Sequence, residues 1–161
     1  MKDILAFLNA LLPVLSGLGG AYIGGYFTRK SQHDLLTKEI AREESKEKRK
    51  EAIETLLIYN QIIKIDGEDL LVTFVGGSQV EFEINIYQDK IRPMIYEKFH
   101  LIHKDVADVI KQIDDTIQFC NFHEEITYEE HRGLADDYNK LIRIIQNHIE
   151  NYRNQNNVFI N

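Results

Sequence analysis

An uncharged apolar run begins the pattern of hydrophobic and polar positions along this chain. From Ile4 to Phe27 no side chain is charged for 24 residues, and a basic pair follows the run. At about 1.5 Å per residue, a helix of this length spans about 36 Å, more than the roughly 30 Å hydrocarbon core of a bilayer. The run therefore predicts a transmembrane anchor over residues 1–28. A cleaved signal peptide fits less well, because its basic region would be Lys2 alone and no small-residue cleavage motif ends the run.

Small residues line one side of this predicted span. They recur at every fourth position in two neighbouring rows, the small-xxx-small pattern that lets a second helix backbone approach closely. Because close packing holds helices together in lipid, the pattern favours self-association and a homo-oligomer. Generic anchoring is the alternative, since glycine is common in membrane helices. The two rows, which together form a glycine zipper, are Ser16, Gly20, Gly24 and Gly17, Ala21, Gly25.

Charge at the two ends of the run predicts its orientation. At the amino-terminal end Lys2 is offset by Asp3, whereas Arg29 and Lys30 begin a basic stretch at the other end. The cytoplasmic side of a span carries the excess of Lys and Arg. We therefore expect the amino terminus outside and the following domain in the cytoplasm, at an inner or plasma membrane. Residues 29–52 follow as a charged helical stalk with almost no apolar face.

Heptad-like spacing of apolar residues predicts a helical bundle over residues 53–161. Three seams alternate in steps of three and four residues, which is typical of a bundle or coiled coil. A capping box, Thr127-x-x-Glu130, marks the start of the third helix. Short loops favour an antiparallel up-down-up arrangement, so the predicted fold class is all-α with three cytoplasmic helices. The expected core is Ile53, Leu56, Ile63, Ile95, Phe99, Ile102, Val106, Val109, Ile113, Leu134, Tyr138, Leu141 and Ile145.

The pattern is ambiguous over residues 70–84. Apolar and acidic residues alternate from Val80 to Ile84 after two glycines, which is typical of a β-hairpin with residues 71–75 as the partner strand. A lone hairpin is only marginally stable. We therefore expect the first cytoplasmic helix to extend to about residue 75, followed by an extended connector, with a small hairpin as the alternative.

Charge divides the predicted cytoplasmic part in two. Residues 29–51 carry eight Lys/Arg against six Asp/Glu, a net of +2, and residues 52–161 carry ten against nineteen, a net of −9. Nucleic-acid binding relies on clustered basic side chains, so the acidic domain excludes nucleic acid as a partner. Pairs such as Asp114-Asp115 are expected on solvated helix faces. The single cysteine, Cys120, excludes an internal disulfide and fits a reducing compartment.

Candidate metal ligands are few. Glu97 and His100 have the Glu-x-x-His spacing of di-iron carboxylate bundles, and His103 adds a further nitrogen. Such sites need a second copy of the motif and two more inward glutamates, which the sequence lacks. We therefore expect surface residues here and no metal or other cofactor. His148 and Asn60 fall at seam positions, where partnered polar residues fix helix register.

Three functions compete. The leading hypothesis is a non-enzymatic, single-pass membrane protein that self-associates through its membrane helix and binds an unidentified cytoplasmic protein through its bundle, in interaction or signalling. The second is an oligomeric pore-forming or membrane-disrupting effector, holin-like or abortive-infection-like, controlled by the cytoplasmic domain. The third, a metal-dependent bundle enzyme, lacks a catalytic constellation. Abundant Ile, Asn, Lys and Glu with no Trp favour a bacterial or phage origin.

Overall fold

The computed structural model describes the backbone of residues 2–76 and 79–157. Within those ranges it describes the side chains of residues 25, 26 and 29 and those of residues 31–76 and 79–155. The described chain is mostly helical, which confirms the all-α prediction at that level. It forms two compact units, residues 1–49 and residues 50–161.

The described elements follow the order helix, hairpin, irregular helix, helix, helix. The first helix is unbroken, and a two-stranded antiparallel sheet comes after it. Two short α-helices separated by a π-helical turn follow, then a 3₁₀ turn and two long helices. In chain order the elements are α1 (Lys2–Glu68), β1 (Val72–Phe74), β2 (Val80–Phe82), α2 (Ile84–Ile86), the π turn (Tyr87–Ile91), α3 (Arg92–Glu97), the 3₁₀ turn (Phe99–Leu101), α4 (Lys104–His123) and α5 (Tyr128–Asn157).

The first unit, residues 1–49, holds the amino-terminal part of α1. All of its described side chains are exposed, including the apolar Leu35, Leu36 and Ile40. Among the described residues, no helix is long and apolar enough to cross a membrane. The predicted span over residues 1–28 lies almost entirely outside the side chains that the structure describes.

The second unit is an up-down-up-down bundle of four helical segments, whereas the sequence predicted three. α1 and α5 run antiparallel, since the Tyr138 hydroxyl donates to Asp66 at 3.0 Å while Tyr59, earlier in α1, lies beside His148, later in α5. α4 and α5 are also antiparallel, because Asp105 at the start of α4 bonds to His148. α1 and α4 therefore point the same way, and the segment between them must run in the opposite direction.

This extra segment exists because the second predicted helix is broken. The sequence predicted one seam running from Ile95 into α4, but α3 ends at Glu97 and the next long helix begins at Lys104. Lys98 leaves the helical conformation at φ −129°, ψ 34°, and its amine bonds to Glu54 of α1 at 2.7 Å. The heptad spacing stays in phase across the break, which contains neither Gly nor Pro. The periodicity therefore gave no sign of it.

Side chains of α1 satisfy backbone groups at the break. The Thr55 hydroxyl shares its hydrogen between the carbonyl of Leu101 at 3.1 Å and that of Glu51 in its own helix at 2.9 Å. The Tyr59 hydroxyl oxygen accepts the backbone N–H of His103 at 3.1 Å. Thr55 is 3% exposed and Tyr59 is fully buried. A buried backbone polar group without a partner is costly, so these two bonds stabilise the break inside the bundle.

The core-facing side of α1 differs from the predicted seam. Ile53 is 42% exposed and Asn60 is also exposed, while Leu56 and Ile63 are only partly buried. Apolar residues occur on several sides of this stretch, so the three-and-four spacing identified a helix face that is rotated away from the one buried in the core. The residues of α1 that fill the core are Thr55, Ile58, Tyr59 and Ile62.

The remaining predicted core residues lie inside the second unit. Phe99, in the 3₁₀ turn, is partly buried against the core. The hairpin and the irregular helix add Leu71, Phe82, Tyr87 and Ile91, which the predicted seams did not include. The predicted residues that are buried are Ile95, Ile102, Val106, Val109, Ile113, Leu134, Tyr138, Leu141 and Ile145.

The start of α5 confirms the predicted capping box. The Glu130 carboxylate accepts the backbone N–H of Thr127 at 2.6 Å, and the Thr127 hydroxyl accepts the backbone N–H of Glu130 at 3.3 Å. These bonds satisfy donors that the first turn of a helix leaves without intrahelical partners. Glu124, in the loop before it, adopts a left-handed φ of 53° where α4 ends.

The strands Val72–Phe74 and Val80–Phe82 form the β-hairpin that was the alternative prediction for this segment. The predicted extension of α1 into this segment is wrong, because α1 ends at Glu68. The two strands pair with Val72 opposite Phe82. Phe82 is 2% exposed, and its ring centroid lies 5.5 Å from that of Tyr138 on α5. This packing stabilises a hairpin that would be marginal alone, which is information that the local pattern does not contain.

Candidate functional site

A cluster of titratable side chains lies where α1, the start of α4 and α5 meet. The imidazole rings of His103 and His148 are stacked, with centroids 3.9 Å apart and planes 17° apart. The Tyr59 hydroxyl oxygen lies 2.8 Å from His103 Nδ1. His148 Nε2 lies 3.0 and 2.9 Å from the two carboxylate oxygens of Asp105. We call these four residues the histidine cluster.

The hydrogen bonds assign the protons within the histidine cluster. Among the described contacts of the buried Tyr59 hydroxyl, Nδ1 of His103 is the one acceptor, since the other contact is the backbone N–H of His103, so we assign the hydroxyl hydrogen to Nδ1. His103 therefore accepts at Nδ1 and carries its proton on Nε2, which is the neutral form of the ring. On the second ring, Nε2–H of His148 donates to the Asp105 carboxylate.

Burial and neighbouring charges set the protonation states. Burial raises the pKa of Tyr59 to about 12, which keeps the phenol protonated. Desolvation and the neighbouring His148 lower the pKa of His103. Burial acts to raise the pKa of Asp105, but hydrogen bonds from His148 and from the Val106 amide lower it overall. At neutral pH the cluster therefore holds a neutral His103 and an ionised Asp105.

The histidine cluster lies at the edge of the bundle. Tyr59 is fully buried, His148 is half-buried, and His103 and Asp105 are exposed. Positive charges on both rings at once are disfavoured, because two like charges on rings stacked this closely repel each other. The arrangement can thus take up a proton from solvent as the pH falls, and this uptake opposes the contacts that tie α1, α4 and α5 together.

The stacked rings are poorly placed to share a metal ion. A metal binds an imidazole nitrogen along the lone pair in the ring plane, and the nearly parallel planes of His103 and His148 keep those directions from converging. The nitrogens at Nδ1 of His103 and Nε2 of His148 are also engaged by Tyr59 and Asp105. Among the residues that the structure describes, no group of three or more His, Cys, Asp or Glu is arranged to hold a metal.

The metal candidates chosen from the sequence do not come together. Glu97 is the last residue of α3, whereas His100 lies in the 3₁₀ turn beyond the break. Both are exposed, and His103 belongs to the histidine cluster instead. The Glu-x-x-His spacing places both side chains on one face only where a helix continues through both positions. Here the helix ends between them.

A second polar site, which the sequence pattern did not predict, is centred on Asp114. Its carboxylate accepts hydrogen bonds from the Tyr87 hydroxyl at 3.2 Å, from Arg92 Nε at 3.1 Å and from the Tyr96 hydroxyl at 2.7 Å. The Asp114 side chain is 15% exposed, whereas we expected it with Asp115 on a solvated face. The sequence signal was weak, because the donors lie on an irregular segment whose facing cannot be read from periodicity.

The residues predicted to associate membrane helices lie in the amino-terminal part of α1, whose backbone is helical. Gly25 is exposed, and a Cβ there would meet no described atom within 4 Å. The other five lie outside the side chains that the structure describes: Ser16, Gly17, Gly20, Ala21 and Gly24.

Comparisons of the chain with protein-family models, with curated proteins and with solved structures gave no match. Functional interpretation therefore depends on the chain's own residues and their contacts.

Proposed function

We propose that this protein is a single-pass membrane protein whose acidic helical unit is a non-enzymatic interaction or signalling module in the cytoplasm. The observation that carries the proposal is the continuity of α1 from Lys2 to Glu68. One helix bears the 24-residue uncharged run, the charged stalk and the first segment of the bundle. A run of this length is sufficient to span the hydrocarbon core of a bilayer.

Charge around the run supports the orientation. Arg29 and Lys30 follow it after Thr28, and the residues from 29 to 51 carry a net charge of +2. Basic residues near the end of a span are retained on the cytoplasmic side. The unit that follows has a net charge of −9, which disfavours contact with an anionic inner leaflet. It therefore projects its surface toward other proteins rather than lipid.

Exposed apolar residues support the interaction role. Phe119 and Phe122, near the end of α4, are 55% and 82% exposed, and Ile126 in the next loop is 37% exposed. Apolar residues exposed together mark surfaces that bind other proteins. Replacing Phe122 by Ser should reduce recovery of a cytoplasmic partner with the tagged full-length protein, while Phe82 and the core remain packed.

Membrane location is tested by extraction and by thiol labelling of the full-length protein. Alkaline carbonate should leave the protein in the membrane pellet. Both labelling variants carry Cys120→Ser, so that each has a single cysteine. Lys2→Cys should react with a membrane-impermeant maleimide in intact cells. Ser45 is exposed on α1, and Ser45→Cys should react only after permeabilisation. Release into the carbonate supernatant, or labelling of position 45 in intact cells, would contradict the proposal.

Bulky side chains placed in the glycine zipper test whether the predicted span self-associates. Gly20→Ile and Gly24→Ile should push neighbouring backbones apart and weaken the full-length oligomer, because close approach depends on small side chains. Leu18→Ile is the matched control, since it adds no bulk between the two rows. Native mass measurement in detergent reports the stoichiometry. An unchanged oligomer in both glycine variants would exclude this surface.

The same zipper favours a second candidate function, an oligomeric membrane-disrupting effector. Asn9 and Ser16 are the strongly polar side chains in the run, too few to line a wide aqueous lumen with one helix per subunit. We therefore expect no leak from the unstimulated protein. Strong depolarisation of cells by the wild type, abolished by Gly20→Ile, would make the pore the leading function.

A further inference from the structure

We infer that the outer edge of β1 pairs with β1 of a second copy of this chain, so that two hairpins form one four-stranded antiparallel sheet. This surface is separate from the glycine zipper, and the inference goes beyond the proposed membrane function. It depends on a difference between the two edges of the hairpin.

Ladder geometry determines which backbone groups of β1 point outward. The Leu71 carbonyl accepts the backbone N–H of Glu83 at 2.9 Å, and the Val75 N–H donates to the carbonyl of Gln79 at 3.0 Å. Both groups therefore point toward the β2 side of the hairpin. Thr73 is in phase with them and faces β2 as well. Because alternate residues of an antiparallel strand bond to the same neighbour, Val72 and Phe74 present their N–H and C=O groups on the opposite, outer edge.

The edge of β2 is already covered. β2 lies along α5, and the outward N–H of Phe82 donates to Nδ1 of His131 at 3.1 Å. Within the described residues, no group bonds to the outward N–H of Val72 or Phe74. An open row of strand donors and acceptors is a template for another extended strand. β1 therefore has the available edge.

Side chains along this edge are uncharged and partly exposed. Leu70, Phe74 and Val75 are 75%, 78% and 52% exposed. Residues 70–78 contain no charged residue and no proline. Edge strands that remain unpaired are usually protected by charge, proline or a bulge. The edge of β1 lacks the first two of these.

The edge is complementary to itself. A two-fold axis beside Thr73 places Val72 of one copy opposite Phe74 of the other, and each outward N–H then meets an outward carbonyl. The resulting aromatic to β-branched pairs and the Thr73 to Thr73 pair are favourable across strands. None of these pairs places like charges opposite each other. Residues 52–161 carry a net charge of −9, so contact between two copies at other parts of this surface is opposed by repulsion. Charge therefore selects this edge for self-pairing.

The first test is disulfide cross-linking of the full-length protein in detergent. In the inferred register the two Thr73 residues form a non-hydrogen-bonded pair, with Cα atoms about 4.5 Å apart, which suits a disulfide. In a Cys120→Ser background, Thr73→Cys should give predominantly covalent dimer under mild oxidation. Gln79→Cys, at the start of the other strand, is the control and should stay monomeric. Equal yields at the two positions would overturn the inference.

A charge variant separates this contact from the membrane helix. Thr73→Lys lies opposite Glu81 within its own hairpin, so the monomer gains an opposite-charge pair, but in the dimer two lysines meet. In the Gly20→Ile background, adding Thr73→Lys should remove the remaining dimer, and it should leave unchanged the melting curve measured at low protein concentration, where the chain is monomeric. Dimer that persists in the double variant would contradict β1 pairing. Dimer lost with Gly20→Ile alone would assign association to the span instead.

Hydrogen exchange of the wild type needs no substitution. The amides of Val72 and Phe74 should exchange at least tenfold more slowly at high than at low protein concentration, because only the dimer bonds them. The Phe82 amide, held by His131 within one chain, is the internal reference and should not change with concentration. Concentration-independent exchange at all three amides would overturn the inference.

Discussion

The stacked rings of His103 and His148 lie 3.9 Å apart, and they join the start of α4 to α5. The bond from Tyr59 to His103 extends this contact to α1. Three long helices of the second unit thus meet at groups whose charge depends on pH. Core packing alone would hold the helices at any pH, whereas this contact is strongest when His103 is neutral.

Stability of the second unit should decline as the pH falls from about 7.5 towards 5. The pKa of His103 is lowered in the folded state, so the unfolded chain takes up this proton at a higher pH than the folded chain does. The stabilisation is complete above the ordinary value of 6.5 and is lost as the pH falls through the lowered one. Thermal melting of the full-length protein, followed by circular dichroism, measures the decline.

His148→Gln is the matched variant for this pH dependence. His148 is one of the two causes of the lowered pKa of His103, and glutamine keeps an N–H that can donate to Asp105. The variant should therefore show a shallower decline in melting temperature over the same pH range. If the wild type and the variant decline in parallel, the two rings are not coupled in solution.

Val106→Asp tests the core of α4. Val106 is completely buried, so the substitution places an unpaired carboxylate among apolar side chains. We expect a loss of at least about 3 kcal/mol in unfolding free energy, a large part of the total for a domain of this size. Gln112→Asp on the exposed side of the same helix should change it by less than about 0.5 kcal/mol. Similar urea midpoints for the two variants would show that α4 is not packed as described.

Asp114→Ala should destabilise the protein far more than Asp115→Ala. Removing the Asp114 carboxylate leaves Tyr87, Arg92 and Tyr96 without their shared acceptor, at an expected cost of about 2–3 kcal/mol. Asp115 is exposed, and its replacement should cost less than about 0.5 kcal/mol. Urea unfolding of the two variants gives the comparison. Equal losses of unfolding free energy in the two variants would show that the Asp114 hydrogen bonds contribute no more to stability than an exposed surface contact.

Periodicity predicted the long distal helices because each has one apolar side. In α4 and α5, residues such as Val109 and Leu141 recur on a single face, and the Thr127 capping box marks a boundary. The break before Lys104 and the hairpin were not predictable in this way. Both depend on partners distant in sequence, namely Tyr59 at the break and α5 beneath the hairpin.

The polar sites show the same limit. A polar residue at a seam position indicated that His148 would have a partner, but nothing local identified Asp105, which lies 43 residues earlier. Asp114 was expected in solvent because paired carboxylates usually are. Its three donors precede it by 18 to 27 residues on an irregular segment. Single-sequence patterns specify which face of a regular helix is apolar, and they do not specify which polar groups the fold brings together.

His131 should determine how firmly the hairpin is held to α5. Its Nδ1 accepts the N–H of Phe82 at 3.1 Å, beside a phenyl ring that is 2% exposed. His131→Ala leaves this buried donor without a partner, which should cost about 1–2 kcal/mol and speed exchange of the Phe82 amide roughly tenfold or more. His123→Ala, at the exposed end of α4, is the control and should leave that amide unchanged. Protection in the core of α4, for example at Val109, should persist in both variants. If the Phe82 amide exchanges equally in both, the hairpin is held by its apolar contacts with Tyr138 and Tyr87 rather than by the histidine.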